Sequence, residues 1–219
     1  MAPTASRPAN AFPVAERAAL ADLMAEVGPD APTLCGGWTT RDLAAHLIVR
    51  ATRPDAAAGI VFGPLAGWNA RVMEQVARRD WPSLLRGVRQ GPPRWSPQSL
   101  PVLDSETNTV EYFVHLEDVR RASEPWEPRV LDDADIVDLW VRGRRLAPHV
   151  LRNSPVGVAA APTDGPAAGS ERTLRPGEPR VLLAGPVGEI VLAAYGRTTK
   201  GLEIRGAAAD VEAFLAFPR

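Results

Sequence analysis

The chain has 219 residues, 45% hydrophobic and 23% charged, with a net charge of -1. That is ordinary for a globular protein of one large domain or two modest ones, and it leaves no electrostatic footprint for nucleic acid or an anionic membrane. One cysteine excludes an intrachain disulfide and fits a reducing cytoplasm, and the sequence has neither an apolar run of bilayer-spanning length nor a signal-peptide core at its start.

Residues 1–12 are small and polar and are expected to fray. Pro13 suits the first turn of a helix that runs to about residue 27, with Leu20, Leu23, Met24 and Val27 as its apolar stripe; Gly28-Pro29 ends it. A second helix opens at Trp38-Thr39-Thr40-Arg41-Asp42. Thr39 and Asp42 stand three apart, the spacing at which each side chain reaches the other's free N–H. Residues 53–64 read as a loop broken by Pro and Gly. Leu65, Trp68, Val72 and Val76 then mark a third helix, and Trp81-Pro82 starts a shorter one ending near Gly91. Prolines bar residues 91–97 from helix. The fourth long helix spans about 105–122, and residues 124–128 form a linker. A further helix covers about 133–151, with Ile136, Leu139, Trp140, Leu146 and Val150 inward; Pro148 is expected to kink or end it.

After Pro155 the texture changes. Short apolar runs at 156–160, 181–184 and 202–204 alternate with turn residues and with helical patterns at 186–195 and 207–217. The fold class is therefore α+β. A helical bundle over 13–152 precedes a small α+β domain over 155–219, and no internal repeat is present.

Glu111 and His115 stand four apart in the helix at 105–122, which puts both on one face. His46 lies in the second helix, between Leu43 and Leu47 on its inward stripe. If the two helices face each other, His46, Glu111 and His115 form a His2Glu set with a position left for water or substrate. Glu-x-x-x-His also describes a solvated ion pair or a hydrogen-bonded core histidine, and spacing alone does not choose among these.

The stretch Leu34-Cys-Gly-Gly-Trp-Thr-Thr-Arg-Asp-Leu-Ala-Ala-His46, followed about 65 residues later by Glu111-Tyr-Phe-Val-His115-Leu-Glu-Asp-Val-Arg-Arg, resembles the paired motifs of the mycothiol-dependent maleylpyruvate isomerase family. That family belongs to the DinB-like metal-binding four-helix bundles. Residues 185–197 and 202–206 are similar to its small sterol-carrier-protein-like C-terminal domain. The resemblance implies a DinB-like bundle plus an extra helix. It implies one divalent metal on His46, Glu111 and His115, with zinc first and nickel, iron or manganese as alternatives. It also implies mycothiol as the thiol cosubstrate of a transferase or isomerase acting on a small electrophile. The chain looks most like an uncharacterised actinobacterial branch of the family. A basic complement that is arginine except for Lys200 suggests a GC-rich genome and agrees with that origin. The alternative function is metal or small-molecule binding without catalysis. The implied partners are small molecules, with no nucleic acid or membrane, and the chain is a monomer or homodimer.

The remaining residues divide as follows. Arg50 and Arg53 extend the His46 face and would either receive an anionic substrate or thiol or stand as exposed helical arginines. The family carries an arginine at the Gly-Arg step occupied by Arg197, which implies a catalytic, carboxylate-binding role at a cleft between domains. Asp118 either fixes a ligand histidine or pairs with Arg121. Cys35 reads as a buried loop cysteine and His149 as a helix-terminal residue. Trp68, Trp95 and Trp126 read as core packing or a pocket wall.

Overall fold

A computed structural model describes residues 7–53, 55–56, 66–96 and 99–218. Residues 1–6 of the expected frayed start and most of loop 53–64, together with Leu65 and Pro97, lie outside the described residues, and residues 11 and 12, expected to fray, are helical. The chain divides into two compact units, residues 1–126 and 127–219.

The first unit is helical: α1 (Ala11–Val27), α2 (Thr40–Thr52), α3 (Ala66–Ala77), α4 (Trp81–Gln90) and α5 (Pro101–Arg120). α1 packs on α4 and α5, and α2 packs on α3 and α4. Local chemistry sets the helix starts. Thr39 and Asp42 form the capping box, with Thr39 N–H donating to Asp42 Oδ2 at 2.9 Å and Asp42 N–H donating to Thr39 Oγ1 at 3.4 Å. Asp80 Oδ1 accepts the Ser83 N–H at 2.9 Å and caps α4. Pro101 begins α5 a turn earlier than the apolar period suggests, because a first-turn residue needs no N–H.

Caps only start a helix; burial places it. α2 is enclosed on nearly every side, with Leu43, Leu47, Ile48 and Val49 in one core with Leu20, Met24 and residues of α3 to α5. A fully buried Leu contributes about 1.5–3 kcal/mol, against about 1 kcal/mol for a cap, so packing outweighs capping in fixing where α2 sits. On α1, Leu20 and Met24 are buried and Leu23 is half-buried, whereas Val27 is exposed in the last turn. Of the three tryptophans read as core or pocket wall, Trp68 and Trp95 are exposed and Trp126 is buried, beneath the Arg121 guanidinium at 4.4 Å.

The second unit holds α6 (Asp133–Val150), β1 (Gly157–Pro162), β2 (Arg172–Arg175), β3 (Arg180–Gly185), α7 (Val187–Ala194), β4 (Glu203–Arg205) and α8 (Ala208–Ala216). The sheet order is β2-β1-β3-β4. The central pair β1 and β3 is parallel, in register Val158 with Val181 and Ala160 with Leu183, and both outer pairs are antiparallel. α6, expected with the helical bundle, belongs to this unit. Its buried face is Ile136, Leu139, Trp140, Gly143 and Ala147, while Leu146 and Val150 are only half-buried. That face packs on α7, on β2 and on the short 3-10 turn at Gly165–Ala167. Gly143 lets α7 approach, since a Cβ there would stand 2.8 Å from Val191 Cγ2. Contact, not proximity in sequence, thus places the unit boundary near residue 126. α6 also runs through Pro148 to Val150, because a proline in the last turn disturbs little helix beyond it.

Candidate metal centre

α5 carries an unusual interior. Asp104, Asn108, Glu111, His115 and Asp118 recur at helical spacing along one side, and Asp104, Asn108 and Asp118 are buried. α2 supplies His46, also buried, and Arg50 one turn on.

His46 Nε2 lies 3.2 Å and His115 Nε2 3.4 Å from the same oxygen, Glu111 Oε1. The two imidazoles stand 5.5 Å apart at 72°, and one donor atom from each of the three residues lies within 4.8 Å of the others. Bonds of about 2.0–2.1 Å to a tetrahedral cation put neighbouring donors about 3.3 Å apart. The two separations from Glu111 bracket that value and all three donor atoms lie within 4.8 Å of one another, so the set suits a dication such as zinc in its nitrogen-and-oxygen chemistry and in these two spacings.

The back of His115 is also fixed. Asp118 Oδ2 accepts the His115 Nδ1–H at 3.0 Å, and a carboxylate that only accepts fixes the proton on Nδ1. The lone pair of the neutral ring is then on Nε2, which faces Glu111. Without a cation, a lone pair faces a carboxylate, and a proton relieves the clash. Burial pushes the His115 pKa down, but hydrogen bonds with Asp118, Cys35 and Glu111 override it and hold the pKa well above the ordinary histidine value. Burial likewise pushes Glu111 up; the Arg50 charge and the two histidine hydrogen bonds outweigh it and hold the carboxyl well below its usual range. Proton and metal therefore compete for one place.

Of the two alternatives for Asp118, the structure shows the contact with His115. Arg121 pairs with Glu117, with Nε 2.6 Å from Oε2. Cys35 joins the cluster, which its reading as a plain loop cysteine did not foresee. Its Sγ donates to Asp118 Oδ2 at 3.0 Å and lies 3.6 Å from His115 Nδ1. A tight turn delivers it: Cys35 C=O accepts the Trp38 N–H at 2.8 Å, and Gly36 and Gly37 take positive φ of 33° and 83°. Glycine adopts such values without the Cβ penalty that other residues incur. The Leu34 N–H donates to the Asp118 carbonyl at 3.0 Å and ties the turn to α5. The signal was the Cys-Gly-Gly-Trp string itself. Trp38, next along, packs on His46 with ring centroids 5.2 Å apart and lines a cavity of about 430 Å3 with Asp42, Asn69 and Met73.

The arginines separate. Arg50 Nε is 3.2 Å from Glu111 Oε1, so it stands among the site residues. Arg53 forks onto Asp55 at 2.9 and 2.8 Å and lies 5.9 Å from the Trp68 ring centroid. Arg197 is in the second unit, where it follows α7 and lines a cavity of about 340 Å3 with Thr198, Thr199 and Ile204; its Nη1 donates to the Tyr195 carbonyl at 2.6 Å. His149 is exposed in the last turn of α6.

No helix among the described residues is long and apolar enough to cross a membrane. No protein-family model matches the chain. No curated protein matches it. Among solved structures, the chain is similar to one described as the crystal structure of the mycothiol-dependent maleylpyruvate isomerase, with a TM-score of 0.55 and 16% identity over 90% of each chain. The likeness shows a shared fold, a helical part followed by a small sheet-containing part.

Proposed function

We propose that the protein is a metal-dependent enzyme that uses a low-molecular-weight thiol, mycothiol, as an S-transferase or isomerase on a small electrophile. The observation that carries the reading is the convergence of His46, Glu111 and His115 on one point, with Asp118 fixing the His115 tautomer. The shared fold supports the choice of thiol, since the similar solved structure is named for mycothiol dependence. In this reading the helical unit is a DinB-like bundle and the second unit is sterol-carrier-protein-like.

His46, Glu111 and His115 would hold the dication, zinc first and nickel, iron or manganese as alternatives. A bound dication supplies Lewis acidity that favours thiolate over thiol. The chain's own groups orient and exclude. Trp38 walls one side of His46, and Asp118 keeps the His115 proton on Nδ1. A thiolate sulfur then forms a bond to the electrophilic carbon of an activated alkene, and the C=C electron pair moves onto the conjugated carbonyl. Rotation and loss of the same sulfur return the alkene in the other geometry; protonation of the carbon instead leaves an S-conjugate. Arg197 and Arg53 are proposed to meet anionic groups of substrate or thiol.

The test is a panel of activated alkenes with mycothiol, run with metal-loaded, chelated and His46→Ala protein. The expected result is a rate that collapses on chelation, returns with metal and is absent in the variant. Loaded protein with no rate above the metal-free form on any alkene, yet one metal per chain, establishes the non-catalytic binding reading instead.

A further inference from the structure

Arg50 is the one cationic side chain in contact with the three donor residues among the described residues, and its placement is heavily determined. Nε faces Glu111 Oε1 at 3.2 Å, Nη2 donates to the Thr107 carbonyl at 2.7 Å, and Nη1 donates to Asn108 Oδ1. Asn108 cannot flip away, because its amide nitrogen donates to Asp104 Oδ1 at 2.7 Å. Asp104 is held in turn by Asn10, whose Nδ2 donates to Oδ2 at 2.9 Å. Three residues in series, with the Thr107 carbonyl beside them, thus hold one guanidinium beside one carboxylate. Pairing Glu111 does not require this, since two histidines already reach the same oxygen.

Charge supplies the reason. The ionised groups touching the donor set are Glu111, Asp118 and Arg50. With a dication and neutral histidines, the cluster keeps one uncompensated positive charge. An uncompensated charge in a mostly buried place is costly, and a single monoanion cancels it. Access runs along the same edge. The Glu111 and Arg50 side chains are 23% and 20% exposed, against 9% for His46, 13% for His115 and none for Asp118. Of the five guanidinium N–H donors, two make hydrogen bonds, to the Thr107 carbonyl and Asn108, and Nε stands against Glu111, so two more are uncommitted among the described residues.

We infer that Arg50 is a specificity-determining residue that makes this site select a monoanionic exogenous ligand, a thiolate or a carboxylate, over a neutral one. The inference rests on the metal reading of His46, Glu111 and His115. It assigns Arg50 to the incoming ligand as well as to Glu111, and it predicts that Arg50 changes which ligands bind more than whether metal binds.

The experiment uses the full chain loaded with cobalt(II), whose visible spectrum reports coordination. Acetate, 2-mercaptoethanol and imidazole are titrated into wild type, Arg50→Gln, Arg50→Lys and the surface control Arg78→Gln. A sulfur-to-cobalt charge-transfer band marks thiolate binding and separates it from carboxylate. Arg50→Gln is expected to weaken acetate and thiolate about tenfold or more, the usual effect of losing a charged hydrogen bond, and to leave imidazole within about twofold. Weakening of only one anion assigns the preference to that class. Arg50→Lys keeps the charge but loses the fork, so it should weaken the anions severalfold; it carries the test if Arg50→Gln does not fold or hold cobalt. Unchanged anion affinity in the arginine variants, or equal losses for anions and imidazole, overturns the inference and leaves the metal reading standing. Wild type that takes up no cobalt overturns both.

Discussion

α5 and α7 are both buried helices, and they are built on opposite plans. α7 buries Val187, Ile190, Val191, Leu192, Ala193 and Ala194, with Glu189 as its single buried charge. α5 buries Asp104, Ser105, Asn108, Thr109, Glu117 and Asp118 among its apolar residues. An unpartnered buried charge costs several kcal/mol; Asp104, Asn108, Glu117 and Asp118 each have a hydrogen-bond partner, whereas the Ser105 and Thr109 hydroxyl oxygens have none among the described residues. In α7 the sequence follows packing, apart from Glu189, which accepts the Lys200 N–H. In α5 the packing accommodates a charge arrangement, which is the physical mark of a site.

The sharpest break between the two helices is metal retention. Alanine at His46, Glu111 or His115 removes one of three donors, and the loss of affinity should exceed the 10–100-fold typical of residues that only support a ligand. Metal per chain after dialysis against a chelator measures this, and wild-type retention in all three variants would sink the assignment. Leu192→Ala is the converse. It should cost about 2–5 kcal/mol of stability in the second unit by opening a cavity, while metal affinity stays at the wild-type value; denaturant unfolding and metal titration read the two effects separately. Asp118→Ala comes next, with about a 10–100-fold loss of metal affinity by competition titration, because the His115 tautomer is no longer fixed. Thr39→Ala is the smallest. It loses the α2 capping box, about 0.5–2 kcal/mol, and touches no donor directly.

Acidity sharpens the same comparison. In the metal-free protein the His115 pKa is raised, so the stability it contributes is fully present below the ordinary histidine value and is lost as pH rises through the folded value. The Glu111 pKa is depressed, so its contribution is present above the ordinary glutamate value and is lost as pH falls through the folded value. Metal needs His115 unprotonated. Affinity should therefore begin to fall at a higher pH than a free imidazole would dictate, and Asp118→Asn should move that fall to lower pH. A fall centred at the same pH in both proteins would contradict the proton–metal competition.

The helices and two of the donors were legible because periodicity and spacing are local. The 3.6-residue apolar period marks α1 to α6, and Glu111 and His115 share a face by arithmetic alone. His46 needed the surrounding motif, since nothing local says which helix opposes α5. β2 escaped notice because Arg172-Thr-Leu-Arg175 buries only Leu174 and otherwise reads as a charged loop. The placement of α6 escaped because an amphipathic stripe does not declare its partner; Gly143 against Val191 settles it in three dimensions. The contacts of Arg50 and Cys35 belong to the same class, since each joins segments at least 57 residues apart.

The Gly36-Gly37 turn leaves the molecule with a single sulfhydryl, held 3.0 Å from the carboxylate behind a proposed metal ligand. A thiol-selective reagent or disulfide-bearing contaminant in an assay has Cys35 as its one thiol target. An electrophile screen with an external thiol therefore carries a built-in background, because loss of electrophile to Cys35 mimics turnover during the first equivalent. Intact mass measured after each run separates the two: turnover leaves the chain mass unchanged, and self-labelling adds one adduct per chain.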